Sequence, residues 1–200
     1  SAAAIEKEKE IFLCLTVEAM KAEAMKTHSN SWIVALHGCQ CLTNICKRSP
    51  SLLRSQPVVN GIPVIISCMK IFQDNVAIQS EACAALSVIC INSSPNKERV
   101  NEMDGINRIK YAYDLFSTTP CVSNKIRACT ALTTLAVHPN ILGDIEDKGI
   151  FAKFETLLKH DPTITGELRE AILDLLILAP DEDNRKLIFR DGAREGETCG

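Results

Sequence analysis

The chain has 200 residues, of which 46% are hydrophobic and only 4% aromatic, and its formal net charge is −3. This hydrophobic content is typical of a globular protein and argues against a disordered or fibrous chain, and the small negative charge provides no general attraction to nucleic acid or to an anionic membrane. No apolar run approaches the ~20 residues that a membrane span needs, and the N-terminus lacks the basic-then-apolar order of a signal peptide.

Two helices are predicted in the first quarter of the chain. The N-terminal sequence reads as a helix that begins in the middle of a protein, as in a fragment of a longer chain, and this helix is predicted over Ile5–Lys26. A second helix, from Ser31 to Lys47, is predicted to pack against it. Trp32 lies at the start of the second helix, and we interpret it as a core residue of this helix pair rather than an interaction hot spot.

From residue 50 onward the sequence repeats with a period of about 44 residues. Three glycine–isoleucine dipeptides and one glycine–alanine dipeptide begin at Gly61, Gly105, Gly149 and Gly192, at intervals of 44, 44 and 43 residues. Four prolines keep a similar interval, at Pro50, Pro95, Pro139 and Pro180. Segments rich in alanine, cysteine and leucine recur at 38–46, 82–90 and 128–136, with a divergent copy at 171–179. Self-similarity at such a period indicates a repeat protein.

Each repeat is predicted to contain a short, a medium and a long helix. Proline is well tolerated at the first position of a helix, so Pro50, Pro95 and Pro139 are each predicted to open a short helix. This helix is predicted to end near the following glycine, because glycine readily takes the left-handed conformation that redirects the chain. A second helix follows, as the spacing of Ile106 and Ile109 indicates, and the alanine- and cysteine-rich segment forms the third.

This pattern resembles the armadillo-repeat family over residues 28–192. The features that carry the resemblance are the glycine before the second helix, the Ala-Leu or Cys-Leu pair in the third helix, and a branched apolar residue usually four or five positions before the glycine, at Val100, Ile145 and Ile188. The resemblance implies an all-α fold, a right-handed superhelical solenoid of three-helix repeats.

The resemblance also implies how the chain is divided. Residues 1–192 are expected to form a single array, and residues 193–200 a frayed tail. Within the array we expect a partial unit at 1–47, repeats at about 48–92, 93–137 and 138–179, and a partial unit at 180–192.

The cysteines are interpreted as packing residues. Two repeat positions hold five of the ten, the first Cys39, Cys83 and Cys129, the second Cys46 and Cys90, where the next repeat has Ala136. Exchange with alanine marks a small buried apolar slot, and no Cys-x-x-Cys pair of a closed zinc site occurs. A metal or redox site is the less favoured alternative. Reduced thiols also suit a cytoplasmic protein, which is the location we expect.

No catalytic or nucleotide-binding motif is found in the sequence. Glycine-rich phosphate loops and the Gly-x-Ser-x-Gly elbow are absent, and the carboxylates of Asp181–Asp183 suit the start of a predicted helix. The histidines, which are His28, His37, His138 and His160, lack catalytic or metal-ligand spacing and are interpreted as surface residues. The sequence therefore predicts a protein that is not an enzyme and needs no cofactor or metal.

The resemblance implies that the third helices line a concave binding face. In many armadillo proteins an asparagine two positions after the conserved leucine of this helix clamps the backbone of an extended peptide, and Asn44 matches it. Asn44 could equally bond to its own neighbours. The equivalent residues in later repeats are Val88, Thr134 and, less closely, Ile177, and Gln40 stands where the family has tryptophan. Recognition of basic peptides, as by nuclear import receptors, is therefore not expected.

Two helical turns before these positions, four residues fall on the same stripe of the third helices: His37, Glu81, Arg127 and Glu170. Their mixed charge suits a protein partner better than a polyanion, although a merely solvated face would look the same. The predicted protein-binding residues are His37, Gln40, Asn44, Glu81, Val88, Arg127, Thr134 and Glu170.

The leading hypothesis from the sequence is a scaffold that binds a protein or peptide on this concave face. The alternative is a regulatory or targeting armadillo segment of a larger multidomain enzyme or motor-associated protein. A third hypothesis is a homo-oligomer formed through an apolar end, because the run Ile11–Leu15 is strongly apolar and a terminal repeat needs a polar outer face.

Overall fold

The computed structural model describes residues 23–117, 121–164 and 166–180, and these parts of the chain are helical and contain no strand. The all-α prediction is confirmed. After a helical turn at 23–27, the helices are α1 (Trp32–Arg48), a 3-10 helix (Pro50–Arg54), α2 (Gln56–Ile71), α3 (Val76–Cys90), α4 (Ser94–Glu102), α5 (Gly105–Phe116), α6 (Val122–Ala136), α7 (Pro139–Asp147), α8 (Ile150–His160) and α9 (Gly166–Leu176). None of the described helices is long and apolar enough to cross a membrane.

The long helices α1, α3, α6 and α9 pack against one another in chain order, α1 on α3, α3 on α6 and α6 on α9. The side chains of Cys39, Cys83 and Cys129 are completely buried in these helices. Small side chains at such positions let neighbouring helices approach closely, because little volume separates the two backbones. The prediction that the cysteines are packing residues is confirmed.

Two short helices have the predicted proline in their first turn. In α4, Pro95 lies in the first turn behind Ser93, and α7 starts at Pro139 behind His138. At Pro50 the short element is a 3-10 helix of five residues instead. The prediction that Gly61 ends a helix is wrong, because α2 runs without interruption from Gln56 to Ile71 with Gly61 in its interior.

The other two repeat glycines occupy helix junctions, for different physical reasons. Gly149 has a φ of 65°, the left-handed conformation predicted for it. At the preceding junction Asp104 takes that conformation, with a φ of 68°, and Gly105 is the first residue of α5. A Cβ atom added to Gly105 would lie 2.3 Å from Cγ1 of Val100 and 2.6 Å from its carbonyl oxygen, so glycine is needed there for space.

Polar side chains tie neighbouring helices together. Asn96 is buried in α4, and its Nδ2 donates hydrogen bonds to the carbonyl oxygens of Leu53, 2.6 Å away, and Ile89, 2.8 Å away. Ser80 Oγ donates to Asn124 Oδ1, 44 residues further along the chain, at 2.8 Å. Because a buried polar group without a partner is costly, these bonds help to fix how the helices sit on one another.

The two glycines allow a matched test of this packing. Gly105→Ala is expected to lower the free energy of unfolding by about 1–3 kcal/mol, because its methyl group collides with the Val100 backbone. Gly61→Ala is expected to raise it by up to about 1 kcal/mol, because alanine favours a helix interior and the added Cβ would lie an ordinary 3.5 Å from Leu42 Cδ1. Urea unfolding followed by circular dichroism measures both, and equal destabilisation by the two substitutions would contradict the close approach at Gly105.

Candidate functional site

A cavity of about 560 Å³ lies across α1, α3 and α6, on the side formed by the predicted stripe. Five of the eight predicted binding residues line it, two from α1, two from α3 and one from α6: Gln40, Asn44, Glu81, Val88 and Arg127. Gln40 on α1 and Glu81 on α3 are 41 positions apart in the sequence, and Glu81 and Arg127 on α6 are 46 positions apart, yet they face the same space because their helices are neighbours.

A second cavity, of about 300 Å³, continues the first toward α9. Both cavities are lined by Ile91, at the C-terminal end of α3, and by Thr130, in the middle of α6, so the two cavities join there. The second is also lined by Thr134, a sixth predicted residue, by Lys97 from α4 and by Asp174 from α9. We call the two cavities together the groove.

Two predicted residues lie elsewhere. His37, exposed on α1, lines a separate apolar cavity of about 250 Å³ with Met25 and Ile33, and its Nδ1 lies 3.0 Å from Gln40 Oε1. Glu170 is exposed on α9 and is not among the lining residues of either groove cavity. The stripe therefore forms one continuous surface only over its central part.

The charges of Glu81 and Arg127 are paired across the groove wall. Arg127 Nη1 lies 2.6 Å from Glu81 Oε1 and also donates to Ser80 Oγ at 3.1 Å. Both charged side chains are partly exposed, so solvent screens the pair. This end of the groove consequently presents a neutralised ion pair.

The threonine hydroxyls of the groove are turned back onto their own helices. Thr43 Oγ1 donates to the carbonyl oxygen of Cys39 at 2.9 Å, and Thr130 Oγ1 donates to that of Ile126 at the same distance. Thr134 Oγ1 donates to the carbonyl oxygen of Thr130 at 2.8 Å. Since each hydroxyl has one proton, its oxygen is left as an acceptor toward the groove. The groove is thus suited to backbone N–H groups of a bound chain.

Several lining residues were missed by the sequence analysis. Lys47, Ile91 and Thr130 lie three positions after the predicted Asn44, Val88 and Arg127, on the next turn of the same helix face. Helical spacing would have found them. Asp174 lies four positions after the predicted Glu170 on the same face of α9, so the same spacing would have found it. Lys97 carried no such signal, because it belongs to a short helix outside the counted stripe.

The buried thiols are poor nucleophiles. Burial raises the pKa of Cys83 and of Cys90 to about 12, although Arg127 and Lys97, respectively, act in the opposite direction. Burial also raises the pKa of Cys39 and Cys129. The thiolate is the reactive form of cysteine, so these residues are inert at neutral pH. In the described residues no group of three or more His, Cys, Asp or Glu side chains is arranged to hold a metal ion.

Two structural interpretations of single residues are wrong. Trp32 is 53% exposed at the start of α1 and is not a core residue in the described structure. His138 is not a surface residue, because its side chain is only 12% exposed and its Nε2 lies 3.1 Å from Glu98 Oε1. Its place just before α7 brings it against the preceding short helix, which no local spacing reveals. The Ile11–Leu15 run and Asp181–Asp183 lie outside the described residues.

Comparison of the chain with protein-family models, with curated proteins and with solved structures gives no match.

The ion pair can be tested by reversing its charges. Arg127→Glu alone places a second carboxylate beside Glu81 and is expected to lower the free energy of unfolding by about 1 kcal/mol, as expected for a partly exposed pair. The double substitution Glu81→Lys with Arg127→Glu restores opposite charges and is expected to recover most of that loss. Urea unfolding of the two single variants and the double variant gives the coupling energy, and a coupling of zero would show that the pair adds nothing to stability.

Thiol labelling tests the burial of the cysteines. In the native chain at about pH 8, iodoacetamide is expected to label the exposed Cys121 but not Cys83 or Cys90, because their raised pKa keeps them protonated and packing excludes the reagent. Peptide mapping by mass spectrometry measures the labelling of each site. In urea all three are expected to react. Native labelling of Cys83 as fast as Cys121 would contradict the assigned packing.

Proposed function

We propose that this chain is a non-enzymatic interaction scaffold, an armadillo-like solenoid that binds an extended segment of a partner protein in the groove. The successive packing of α1, α3, α6 and α9 supports the solenoid, because each long helix contacts mainly its neighbours in chain order. We further propose that the protein acts in the cytoplasm, which agrees with eight free cysteines among the described residues.

The observation that carries this proposal is the groove itself. Side chains predicted from the sequence to share a binding face come from three separate helices and line one cavity of about 560 Å³. A second cavity of about 300 Å³ extends it along the stack of helices. An elongated surface that crosses several repeats suits a linear ligand, which can contact each repeat in turn.

The chemistry of the groove favours binding over catalysis. The described residues that line it include no histidine and no cysteine, and the carboxylate of Glu81 is paired with Arg127. The walls instead combine aliphatic side chains, threonine oxygens and a few charges. Such a mixture is typical of a surface that recognises a polypeptide.

The mode of binding should differ from that of an armadillo protein with an asparagine ladder. Asn44 lines the groove, but its repeat equivalents are the buried Val88 and the threonine Thr134. Repeated clamping of a peptide backbone by asparagine amides is therefore not expected. The threonine oxygens can accept hydrogen bonds from backbone N–H groups of a bound peptide. The aliphatic residues between them can contact the peptide's side chains, and those contacts would set specificity.

A pair of threonines makes a matched test. Thr130, on α6, lines both cavities, whereas Thr156, on α8, lines neither, and both are exposed with their hydroxyls bonded to the carbonyl four residues earlier. A phage library of random dodecapeptides is selected on the immobilised chain, and the selected peptides are titrated by fluorescence anisotropy. Thr130→Trp fills the groove and is expected to weaken binding at least about tenfold, a loss of about 1.4 kcal/mol.

The control variant Thr156→Trp is expected to bind the selected peptides like the unmodified chain. Circular dichroism establishes that both variants remain helical. If the selected peptides bind equally well to Thr130→Trp and Thr156→Trp, they use another surface, and the groove is not the binding site.

A further inference from the structure

Lys97 is a buried lysine at the wall of the second groove cavity. It lies in the first half of α4, only 7% of the residue is exposed, and it is one of the residues that line the cavity between α3, α6 and α9. Lysine is almost never buried to this extent unless its charge is paired. A counter-ion is therefore expected near the ammonium group of Lys97.

The described part of the chain supplies no counter-ion to Lys97. The ion pairs among the described residues are made by the basic groups of Arg108, Arg127, His138, Lys153 and Lys159, and none of them involves Lys97. Asp174 lines the same cavity but does not come within the 4.0 Å of an ion pair. The thiol of Cys90 is near enough to feel the charge, but burial keeps the pKa of that thiol at about 12, so it is neutral. The stem of Lys97 is buried, but its Nζ is not fully buried and stays accessible at the cavity wall without an ion-pair partner among the described residues.

Exposed aliphatic side chains flank this cation. Ile91 and Val137 are the residues that follow the last turns of α3 and α6, they are 44% and 60% exposed, and both line the same cavity as Lys97. Large aliphatic side chains exposed around a concave site mark a place where another molecule can cover them. The cavity therefore combines the cation of Lys97 with two uncovered apolar contacts, and the one carboxylate among the described residues that line it, Asp174, is exposed and not paired with Lys97.

We propose that Lys97 anchors a carboxylate side chain of an extended partner peptide, whose neighbouring apolar side chains cover Ile91 and Val137. This inference rests on the proposed function and specifies its partner as an acidic and aliphatic segment. Charge complementarity selects the carboxylate, since binding supplies the counter-ion that the described residues do not. Thr130 and Thr134 accept backbone N–H groups of the same segment.

The test uses three fluorescein-labelled peptides that differ only in their central residue: Gly-Ser-Val-Glu-Val-Ser-Gly and its glutamine and lysine counterparts. Anisotropy titrations with the full 200-residue chain at low salt are expected to show the glutamate peptide binding at least about tenfold more tightly than the glutamine peptide. The lysine peptide is expected to bind more weakly still, because its charge repels Lys97.

The decisive variant is Lys97→Met, which keeps the length of the buried side chain and removes its charge. It is expected to bind the glutamate and glutamine peptides equally, at the affinity that the unmodified chain has for the glutamine peptide. Lys97→Arg is expected to retain the preference for glutamate. Lys70→Met removes an exposed lysine on α2 that lines neither groove cavity, and it is expected to leave both affinities unchanged.

Stability of the free chain provides a second measurement. Because Lys97 makes no ion pair in the described part of the chain, Lys97→Met should not lower the urea midpoint, whereas loss of an internal ion pair would lower it. A lowered midpoint would overturn the inference. A triple variant with Asp181→Asn, Glu182→Gln and Asp183→Asn provides a further check. If it binds the glutamate peptide more tightly than the unmodified chain does, the inference is overturned, because the acidic segment of the chain itself would then occupy the cavity at Lys97.

The remaining outcomes separate this inference from the proposed function. One outcome is that the peptides bind the chain, lose affinity for the Thr130→Trp variant, and bind the Lys97→Met variant as tightly as the unmodified chain. That outcome would overturn the carboxylate anchor and leave the groove as the binding site. Absence of binding by all three peptides would overturn the anchor as well, while dodecapeptides selected on the chain still decide whether the groove binds anything.

Discussion

The close packing of the four long helices is the constraint on which the rest of the structure depends. Cys39, Cys83 and Cys129 recur at one repeat position and are buried without any exposed surface. A side chain larger than cysteine at these positions would force the neighbouring helix away, because the interior has no free volume to take it. The spacing of α1, α3 and α6 in turn sets the width of the groove, so these cysteines shape the groove through packing.

The periodic core was readable from the sequence, whereas the reasons for the glycines were not. Ile62, Ile106 and Ile150 recur with the repeat and are all buried, as expected for apolar residues at equivalent positions. The glycine before each of them has a different role: Gly61 lies within a helix, Gly105 makes room for Val100, and Gly149 takes a left-handed conformation. Repetition reports that a residue type suits a position, but the backbone conformation there depends on tertiary contacts that a local pattern does not contain.

The candidate site, too, was only partly readable from the sequence. Counting along the third helices correctly grouped Gln40, Glu81 and Arg127 around one cavity, because residues on one face of parallel neighbouring elements must meet. It failed at both ends of the stripe, where His37 faces an apolar cavity and Glu170 faces solvent. It also missed Lys97, which reaches the groove from a different kind of helix. Such a residue enters a site through the tertiary arrangement alone, so no periodicity along the third helices could include it.

The two ends of the groove consequently differ in electrostatic character. At one end the charges of Glu81 and Arg127 satisfy each other at 2.6 Å, and a partner group would have to break that pair to gain either charge. At the other end Lys97 is buried without an ion-pair partner in the described part of the chain, beside the exposed Ile91 and Val137. A charge without an internal partner is free to bind a ligand group, whereas the solvated pair offers little to a ligand. If the groove receives an extended segment, its register should therefore be set at the Lys97 end, with the remainder of the segment lying across Thr130 toward α1.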